Sequence, residues 1–468
     1  MELSLAELLR SALPGTVTRG DDSVVIRAVT YDSRRVEPGT LFCCLRGATV
    51  DGHDFAERAV GAGASALLVD HSLDMAVTQI VVPDTRSAMG HLAAALHGNP
   101  TGALQVVGVT GTNGKTTTTH LIASVLRSAG RPCGVIGTLT GKHTTPEAPE
   151  LQSLLAGFRD DGCAAVAMEV SSHALALHRV DGCRFAVAVF TNLGRDHLDL
   201  HHTIEEYFAA KQSLFVPALS AVAVLNMDDE YGRRIASTTQ VPTVGFSLAD
   251  AADVVVTPTA HEYTWRGVRV RVGLGGAFNV LNSLAAATAC AALGLTPQQI
   301  ADGLATAPAV PGRFEAVHAG QQFDVVVDYA HTPDGLRAVL TAARPAAPRR
   351  LLVVFGCGGD RDADKRPEMG AVAAELADHV VITSDNPRSE NPLDIINAIS
   401  AGVPDDYRAR VVTEPDRRHA FATAFRSAEP GDVVVIAGKG HETTQTIGAS
   451  VLPFDDRVVA REELEAFA

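Results

Sequence analysis

From residue 105 onward the chain alternates short runs rich in Val, Ile and Ala with stretches of helical character, the runs being QVVGVT, CGVIG, AAVAMEV, AVAVFTN and AVAVLN. Strands that are apolar at nearly every position need cover on both faces, so this rhythm predicts a parallel sheet with helices on either side. Between 240 and 280 the pattern changes: ADVVVTPTAHEYTWRGVRVRVGL predicts two or three antiparallel strands and carries the only Trp. The earlier rhythm resumes with FDVVVDYA, RLLVVFG, DHVVITSD and GDVVVIAG, each expected to lead into a helix, from near Pro311-Gly312-Arg313. Ahead of all this, VVIRAVTYDSRRVEPGTLFCCL and SALLVD read as strands separated by a turn at Asp51-Gly52, and Gly98-Asn99-Pro100 closes the segment. The expected fold is α/β in three domains: a small N-terminal α/β domain over 1–99, a central parallel-sheet domain over 100–311 and a C-terminal Rossmann-like domain over 312–468. A length of 468 residues suits that division, at roughly 150 residues per domain.

Composition narrows the function. Hydrophobic residues at 46% and charged residues at 20% are those of a globular chain. A formal charge of −15 removes any general attraction to nucleic acid or anionic lipid, so an anionic ligand needs a local site. The seven cysteines lack CxxC or metal-ligand spacing and suit a reducing compartment, with adjacent Cys43 and Cys44 read as packing residues. The opening MELSLAELLRSALPG is too interrupted for a signal peptide, and no apolar run is long enough to cross a bilayer. A cytoplasmic protein that neither binds nucleic acid nor inserts into a membrane is expected.

The chemistry begins at Thr110-Gly111-Thr112-Asn113-Gly114-Lys115-Thr116-Thr117, between a predicted strand and a predicted helix. Glycines there admit backbone N–H groups to phosphate oxygens, the helix start adds positive potential, Lys115 reaches the terminal phosphates and the Thr116 hydroxyl suits Mg²⁺. The spacing departs from GxxxxGK[ST], since Val109 stands where the first glycine would be. Two further segments follow strands: Glu169-Val170-Ser171-Ser172-His173, and Thr191-Asn192-Leu193-Gly194-Arg195-Asp196-His197. Ligands of open parallel sheets sit beyond the carboxyl ends of the strands, so Glu169 and His197 are expected to converge on the bound phosphates as metal ligands, oxygen and nitrogen respectively. By periodicity alone Lys211, in the helical stretch Glu205–Phe215, reads as a solvated lysine.

The GTNGKTT variant, with these segments, resembles the ATP-dependent Mur ligase family, whose members join a carboxylate to an amine through an acyl phosphate. The resemblance extends over essentially the whole chain. It implies ATP and Mg²⁺, with Lys115, Glu169, His197 and Lys211 as catalytic residues. The pattern YxxAKxxLF around Lys211 implies modification of that lysine by CO₂ to a carbamate, which would join Thr116, Glu169 and His197 on the metal. The likeness is greatest to the branch that adds meso-diaminopimelate to a UDP-N-acetylmuramoyl dipeptide. Tyr31-Asp32-Ser33-Arg34 resembles that branch's UDP-binding segment; Thr144, Thr145, Ser171 and Arg179, with Asn113, resemble its site for the nucleotide sugar dipeptide. Asn279, Asn282, Arg313, Asp328 and His331 match residues near the adenosine part of ATP. Arg361, Asp385-Asn386-Pro387-Arg388, Gly438 and Glu442 match the amino-acid site, where an arginine at the place of Arg388 pairs with the distal carboxylate of diaminopimelate. A monomer acting on small molecules is implied.

Three alternatives stay open on the sequence: an acceptor such as L-lysine, a folylpolyglutamate synthetase, and a nucleotide-binding regulatory protein that kept the fold and lost the chemistry. The four residues between Leu139 and Thr144, and Leu177 in place of a polar contact found in some relatives, bear on the first. The UDP-like segment and Asp385–Arg388 speak against the second. Retention of Lys115, Glu169, His197 and Lys211 speaks against the third.

Overall fold

The computed structural model describes residues 2–47, 49–196 and 198–467. At its centre is a six-stranded parallel sheet in the order Thr243–Phe246, Ala223–Asn226, Val187–Phe190, Gln105–Thr110, Ala165–Glu169, Cys133–Ile136. Alternation along its strands feeds two cores. Val107 and Val109 pack with Leu121, Val125 and Leu284 of the helices Lys115–Ser128 and Phe278–Ala292. Val106, Val166 and Met168 face the other way, onto Leu151, Leu155 and Phe208 of the helices Ala148–Asp160 and Ile204–Gln212. Because Gln105–Thr110 lies mid-sheet with later strands on both sides, its carboxyl end sits at the switch point where such sheets bind ligands.

The antiparallel strands Ala252–Val256, His261–Trp265 and Val268–Val272 form a separate small sheet that buries Tyr263, Trp265, Val270 and Val272 in the first of those cores. Its second turn uses Arg266 at φ 48° and Gly267 at φ 79°, the two positive angles of a tight hairpin. One element escaped the sequence pattern: Thr243–Phe246 belongs to the central sheet, not to the break after it. As an edge strand with one buried residue it has no continuous apolar run to announce it.

The C-terminal sheet runs Glu315–Ala316, Asp324–Asp328, Val433–Ala437, Leu351–Phe355, His379–Ile382, Val411–Thr413, parallel except for its first pair. The expectation that each of its strands leads into a helix is corrected at Val433–Ala437, which is followed by the hairpin Thr444–Ile447 and Ser450–Pro453 before the helix Asp456–Phe467. In the N-terminal sheet, Thr40–Cys43 pairs with Ala28–Thr30 and Ala64–Val69. Cys43 and Cys44 lie in different cores on its two faces, and burial pushes the Cys44 thiol up to about 12, so both serve packing. This part docks on the central one through Ser87, whose hydroxyl donates to Asp181 at 2.6 Å, and through a close approach of Gly90 to the Asp181 carbonyl that a Cβ would close to 2.5 Å. No helix among the described residues is long and apolar enough to cross a membrane.

Candidate active site

The glycine-rich loop leaves the strand Gln105–Thr110 and enters the helix Lys115–Ser128 through backbone that only glycine tolerates. Gly111 has φ 148° and a Cβ there would lie 1.9 Å from the Thr191 hydroxyl; Gly114 has φ 85° and a Cβ would lie 2.3 Å from Asn282 Oδ1. Among the described residues no side chain caps this helix, which leaves its first-turn amides available to a ligand. The Asn113 amide donates to Asn192 Oδ1 at 2.9 Å and the Thr191 hydroxyl donates to the Asn113 carbonyl at 2.6 Å, which fixes the loop against the next strand. Thr110 is wholly buried and its hydroxyl has no partner among the described residues. Lys115 folds back, donating to the Gly111 and Thr112 carbonyls at 2.8 and 2.7 Å, and burial lowers its pKa.

Glu169 ends its strand 1% exposed and gathers the neighbouring hydroxyls. Its Oε2 accepts from Thr116 at 3.0 Å and from the Thr138 hydroxyl at 3.2 Å, and its Oε1 accepts from the Thr138 amide at 2.8 Å. Arg313, from the start of the C-terminal part, donates to Thr116 at 3.3 Å and lies 4.5 Å over the Tyr329 ring. His197 lies outside the described residues.

Lys211 sits on the helix Ile204–Gln212, shorter than the stretch read from sequence, and the solvated position suggested by periodicity is wrong: it is 1% exposed. Its Nζ donates to the Gly111 carbonyl at 2.9 Å, the acceptor Lys115 also uses, and lies 4.4 Å over the Tyr207 ring. Burial, then the positive charge of Lys115, pushes its pKa well below that of an ordinary lysine.

One cavity of about 370 Å³ collects these groups, its lining drawn from the loop, Glu169, Lys211, Thr144, Ser171, Asn282, Arg313, Asp328 and His331. Asn282 donates to Asn279 Oδ1 at 2.8 Å, and Asn279 to the Gly275 carbonyl at 2.7 Å, so Asn279 holds its neighbour from behind. Asp328 accepts the amides of Phe314 and Ala330, each at 2.8 Å, while burial raises its pKa. His331 bonds the Tyr329 carbonyl at 3.0 Å and is held neutral by burial and Lys365.

Beside the cavity, Thr144 meets the Thr138 hydroxyl at 3.0 Å, whereas Thr145 is buried and spends its hydroxyl on the Glu169 carbonyl at 2.9 Å. Ser171 caps a short helix through the Ala174 amide. Arg179 is braced by Glu147 at 2.8 Å and the Thr145 carbonyl at 3.1 Å. Tyr31 stands near enough to Glu147, Glu150 and Arg179 to feel their charges, and Ser33 opens the turn Ser33–Arg35 beside it.

The remaining residues named from sequence form a second cluster at the carboxyl end of the C-terminal sheet. Arg388 has φ 52° and donates to the Gly359 carbonyl at 2.6 Å. A Cβ on Gly358 would lie 2.9 Å from Arg388 Nη1 and 3.9 Å from Arg361 Cγ, so the two arginines flank that glycine. Asn386, between buried Asp385 and Pro387, donates to Glu442 at 2.7 Å, and a Cβ on Gly438 would lie 2.7 Å from Asp385 Oδ2. Tyr329, on the cavity wall, packs against His441 with the rings tilted at 46° and 5.0 Å apart, and so connects the two clusters.

Sequence reasoning gave no role of their own to Thr138, Tyr207 and Lys439, although the last two stand inside the segments YxxAKxxLF and Gly438–Glu442 that carry the family resemblance. Thr138 follows the strand Cys133–Ile136 just as the other site segments follow theirs, and that rule finds it. Tyr207 bonds the Thr112 hydroxyl at 3.1 Å, a contact across 95 residues with no local sign. Lys439 is wholly buried, bonding the Thr444 carbonyl at 2.7 Å and Glu442 at 3.2 Å.

Residues 25–97 match the Mur ligase family catalytic domain, 109–290 the Mur ligase middle domain and 312–440 the Mur ligase glutamate ligase domain. The chain belongs to the Mur ligase family. It is 46% identical over 490 residues to the UDP-N-acetylmuramoyl-L-alanyl-D-glutamate–2,6-diaminopimelate ligase of Streptomyces coelicolor, covering 98% of this chain and 96% of that one. With the ligase of the same name from Geobacillus thermodenitrificans it shares 47% identity over 481 residues, 97% of this chain and 98% of that one. A solved structure of a ligase of this name superposes with a TM-score of 0.73 at 34% identity, covering 100% of this chain and 99% of the other. The MurF ligase of Thermotoga maritima in complex with ADP shares the fold, with a TM-score of 0.63 at 20% identity over 94% of this chain and 99% of that one.

Proposed function

We propose that this chain is the ATP-dependent, ADP-forming ligase that adds meso-2,6-diaminopimelate to UDP-N-acetylmuramoyl-L-alanyl-D-glutamate in peptidoglycan precursor synthesis. It works in the cytoplasm as a monomer on small molecules, its parts divided as 1–99 for the UDP moiety, 100–311 for ATP and 312–468 for the amino acid. The observation that carries the reading is the convergence, in one cavity, of a glycine-rich helix start with no side-chain cap, a buried carboxylate, a half-buried lysine and a buried one.

The loop amides and Lys115 bind the phosphates of ATP, and Asn282, Arg313, Asp328 and His331 face its nucleoside end. The D-glutamyl γ-carboxylate, held near Thr144, Ser171 and Arg179, takes the γ-phosphoryl group. The amine of the acceptor attacks the resulting acyl phosphate, a C–N bond forms as the C–O bond to phosphate breaks, and ADP and phosphate leave. The site fits a hard divalent cation, because Thr116 and Glu169, both on the cavity lining, already hold two oxygens 3.0 Å apart. Thr116, Glu169, His197 and carbamylated Lys211 would hold Mg²⁺, which when bound neutralises charge on the phosphates. Arg313 and Lys115 supply preorganised positive charge to the same group.

The acceptor follows from Arg388. Its planar fork suits a carboxylate, and Arg361 beside it adds a second positive charge, whereas L-lysine offers nothing at that point. A charge-assisted pair lost from a desolvated site costs about 2 to 5 kcal/mol, so kcat/KM should favour diaminopimelate over L-lysine by roughly thirtyfold to a few thousandfold. Arg388→Ala should shrink that gap by harming diaminopimelate, without making a good lysine ligase, because removing a mismatch builds no site for the lysine ammonium. The test is inorganic phosphate release with ATP, the UDP-dipeptide and each amino acid. Release that requires the dipeptide and diaminopimelate together is expected; equal turnover of both amino acids sinks the acceptor assignment, and none with any acceptor sinks the ligase.

A further inference from the structure

The two acceptor segments, Asp385–Arg388 and Gly438–Glu442, start one residue after two backbone carbonyls that share a single buried donor. That donor is Arg417, at the start of the helix Arg417–Ser427, which donates to the Ser384 carbonyl at 3.2 Å through Nη1 and to the Ala437 carbonyl at 3.0 Å through Nη2. Its remaining donors form a fork on Asp456, Nε to Oδ1 at 2.8 Å and Nη2 to Oδ2 at 2.6 Å, and both side chains are wholly buried. Phe421 covers the guanidinium at 5.5 Å, and Asp385 and Glu442 lie near enough to act on it electrostatically. The segments are also tied to each other: the Gln445 side chain donates to the Asp385 carbonyl at 2.7 Å and the Arg388 amide to the Thr446 carbonyl at 3.0 Å. A shift at either carbonyl therefore reaches Arg388 and Glu442.

We propose that Arg417, locked by Asp456, is a positioning residue for the acceptor amino acid: it sets the spacing between the Asp385–Arg388 and Gly438–Glu442 segments and thereby the aim of Arg388. This rests on the acceptor site proposed above. The guanidinium makes these bonds from three separate nitrogens held in one plane, whereas a lysine would have to make them from a single nitrogen, so Arg417→Lys keeps the charge for Asp456 and loses the geometry. The same strand offers a control at its other end. Asp432, wholly buried just before Val433–Ala437, accepts from Arg350 Nε at 3.1 Å and Nη2 at 2.6 Å, far along the strand from either acceptor segment.

The experiment measures Tm, and KM and kcat for diaminopimelate, ATP and the UDP-dipeptide, in the full chain carrying Arg417→Lys, Asp432→Asn or Arg388→Ala. Since small misplacements remote from the chemistry cost up to about a hundredfold, Arg417→Lys is expected to raise the KM for diaminopimelate roughly tenfold to a hundredfold. The KM for ATP and for the UDP-dipeptide should stay unchanged, and Asp432→Asn should lower Tm without moving any KM. An Arg417→Lys protein that loses Tm as Asp432→Asn does, with an unaltered acceptor KM, makes Arg417 a structural brace and overturns the proposal. Arg388→Ala separates the two levels: if it leaves the acceptor KM unchanged the acceptor-site reading falls, and this proposal with it. If it raises that KM and Arg417→Lys does not, only the positioning role falls. Should Arg417→Lys not fold, Asp456→Glu, which displaces the guanidinium while keeping its charge paired, takes its place with the same outcomes.

Discussion

Lys115→Ala is expected to cut ATP-dependent phosphate release by roughly a thousandfold or more, the scale on which fixed positive charge acts in phosphoryl transfer, while the protein stays folded. The two halves of that expectation have separate grounds. Among the described residues the Lys115 ammonium bonds carbonyls of its own loop, Gly111 and Thr112, and the Gly111 carbonyl keeps a second donor in Lys211. Burial already lowers its pKa, so the charge is held there at a cost that alanine removes. What alanine cannot replace is positive charge at the end of the loop where the terminal phosphates of ATP would lie. Circular dichroism and Tm check the fold, and single-turnover phosphate release checks the chemistry. Full activity in the purified variant removes the phosphate-loop assignment altogether.

The parts of this architecture that were legible in the sequence are those whose cause is local. Strands such as Gln105–Thr110 and Val433–Ala437 are covered on both faces and so are apolar at nearly every position; the glycine-rich loop needs Gly111 and Gly114 because neighbouring atoms leave no room for a Cβ. Glu169 was found by a rule about strand ends, which is a topological regularity and not a contact. What stayed hidden depends on partners far along the chain. Lys211 is buried because its helix packs its amine onto a carbonyl 100 residues earlier, and periodicity carries no trace of that. Arg417 likewise reads as one polar residue among several at a helix start until Asp456, 39 residues on, is seen to neutralise it. The edge strand Thr243–Phe246 was missed for the opposite reason: it is half-exposed and needs little apolar surface. Local pattern thus gave the frame and the phosphate loop, while the resemblance to a family supplied Lys211, whose burial the fold then explains.

Lys211→Ala is expected to be nearly inactive, with kcat lower by about a hundredfold to a thousandfold, as for loss of a group that stabilises charge in the transition state. The physical case starts from an apparent conflict. Two lysines direct their amines at the Gly111 carbonyl, with Arg313 bonded to Thr116 near by, and a third full positive charge in so buried a place is unfavourable. Burial above all, with the charge of Lys115 added, depresses the pKa of Lys211 and favours the neutral amine, the form that can attack CO₂. Attack by the neutral amine would form an N–C bond and release one proton, taking the side chain from neutral to anionic and giving it two oxygens that would complement Lys115 and suit a divalent cation. The sign of the pH dependence follows. Below the amine's folded-state pKa, protonation competes with CO₂, so activity should fall on the acid side and be partly restored by added bicarbonate. In Lys211→Ala, formate or acetate should restore part of the activity by supplying the missing oxygens, and in the wild type CO₂ depletion should lower turnover reversibly. A wild-type protein indifferent to CO₂, together with an active Lys211→Ala, makes Lys211 a buried structural lysine and leaves the loop, Glu169 and Arg313 to do the chemistry without it.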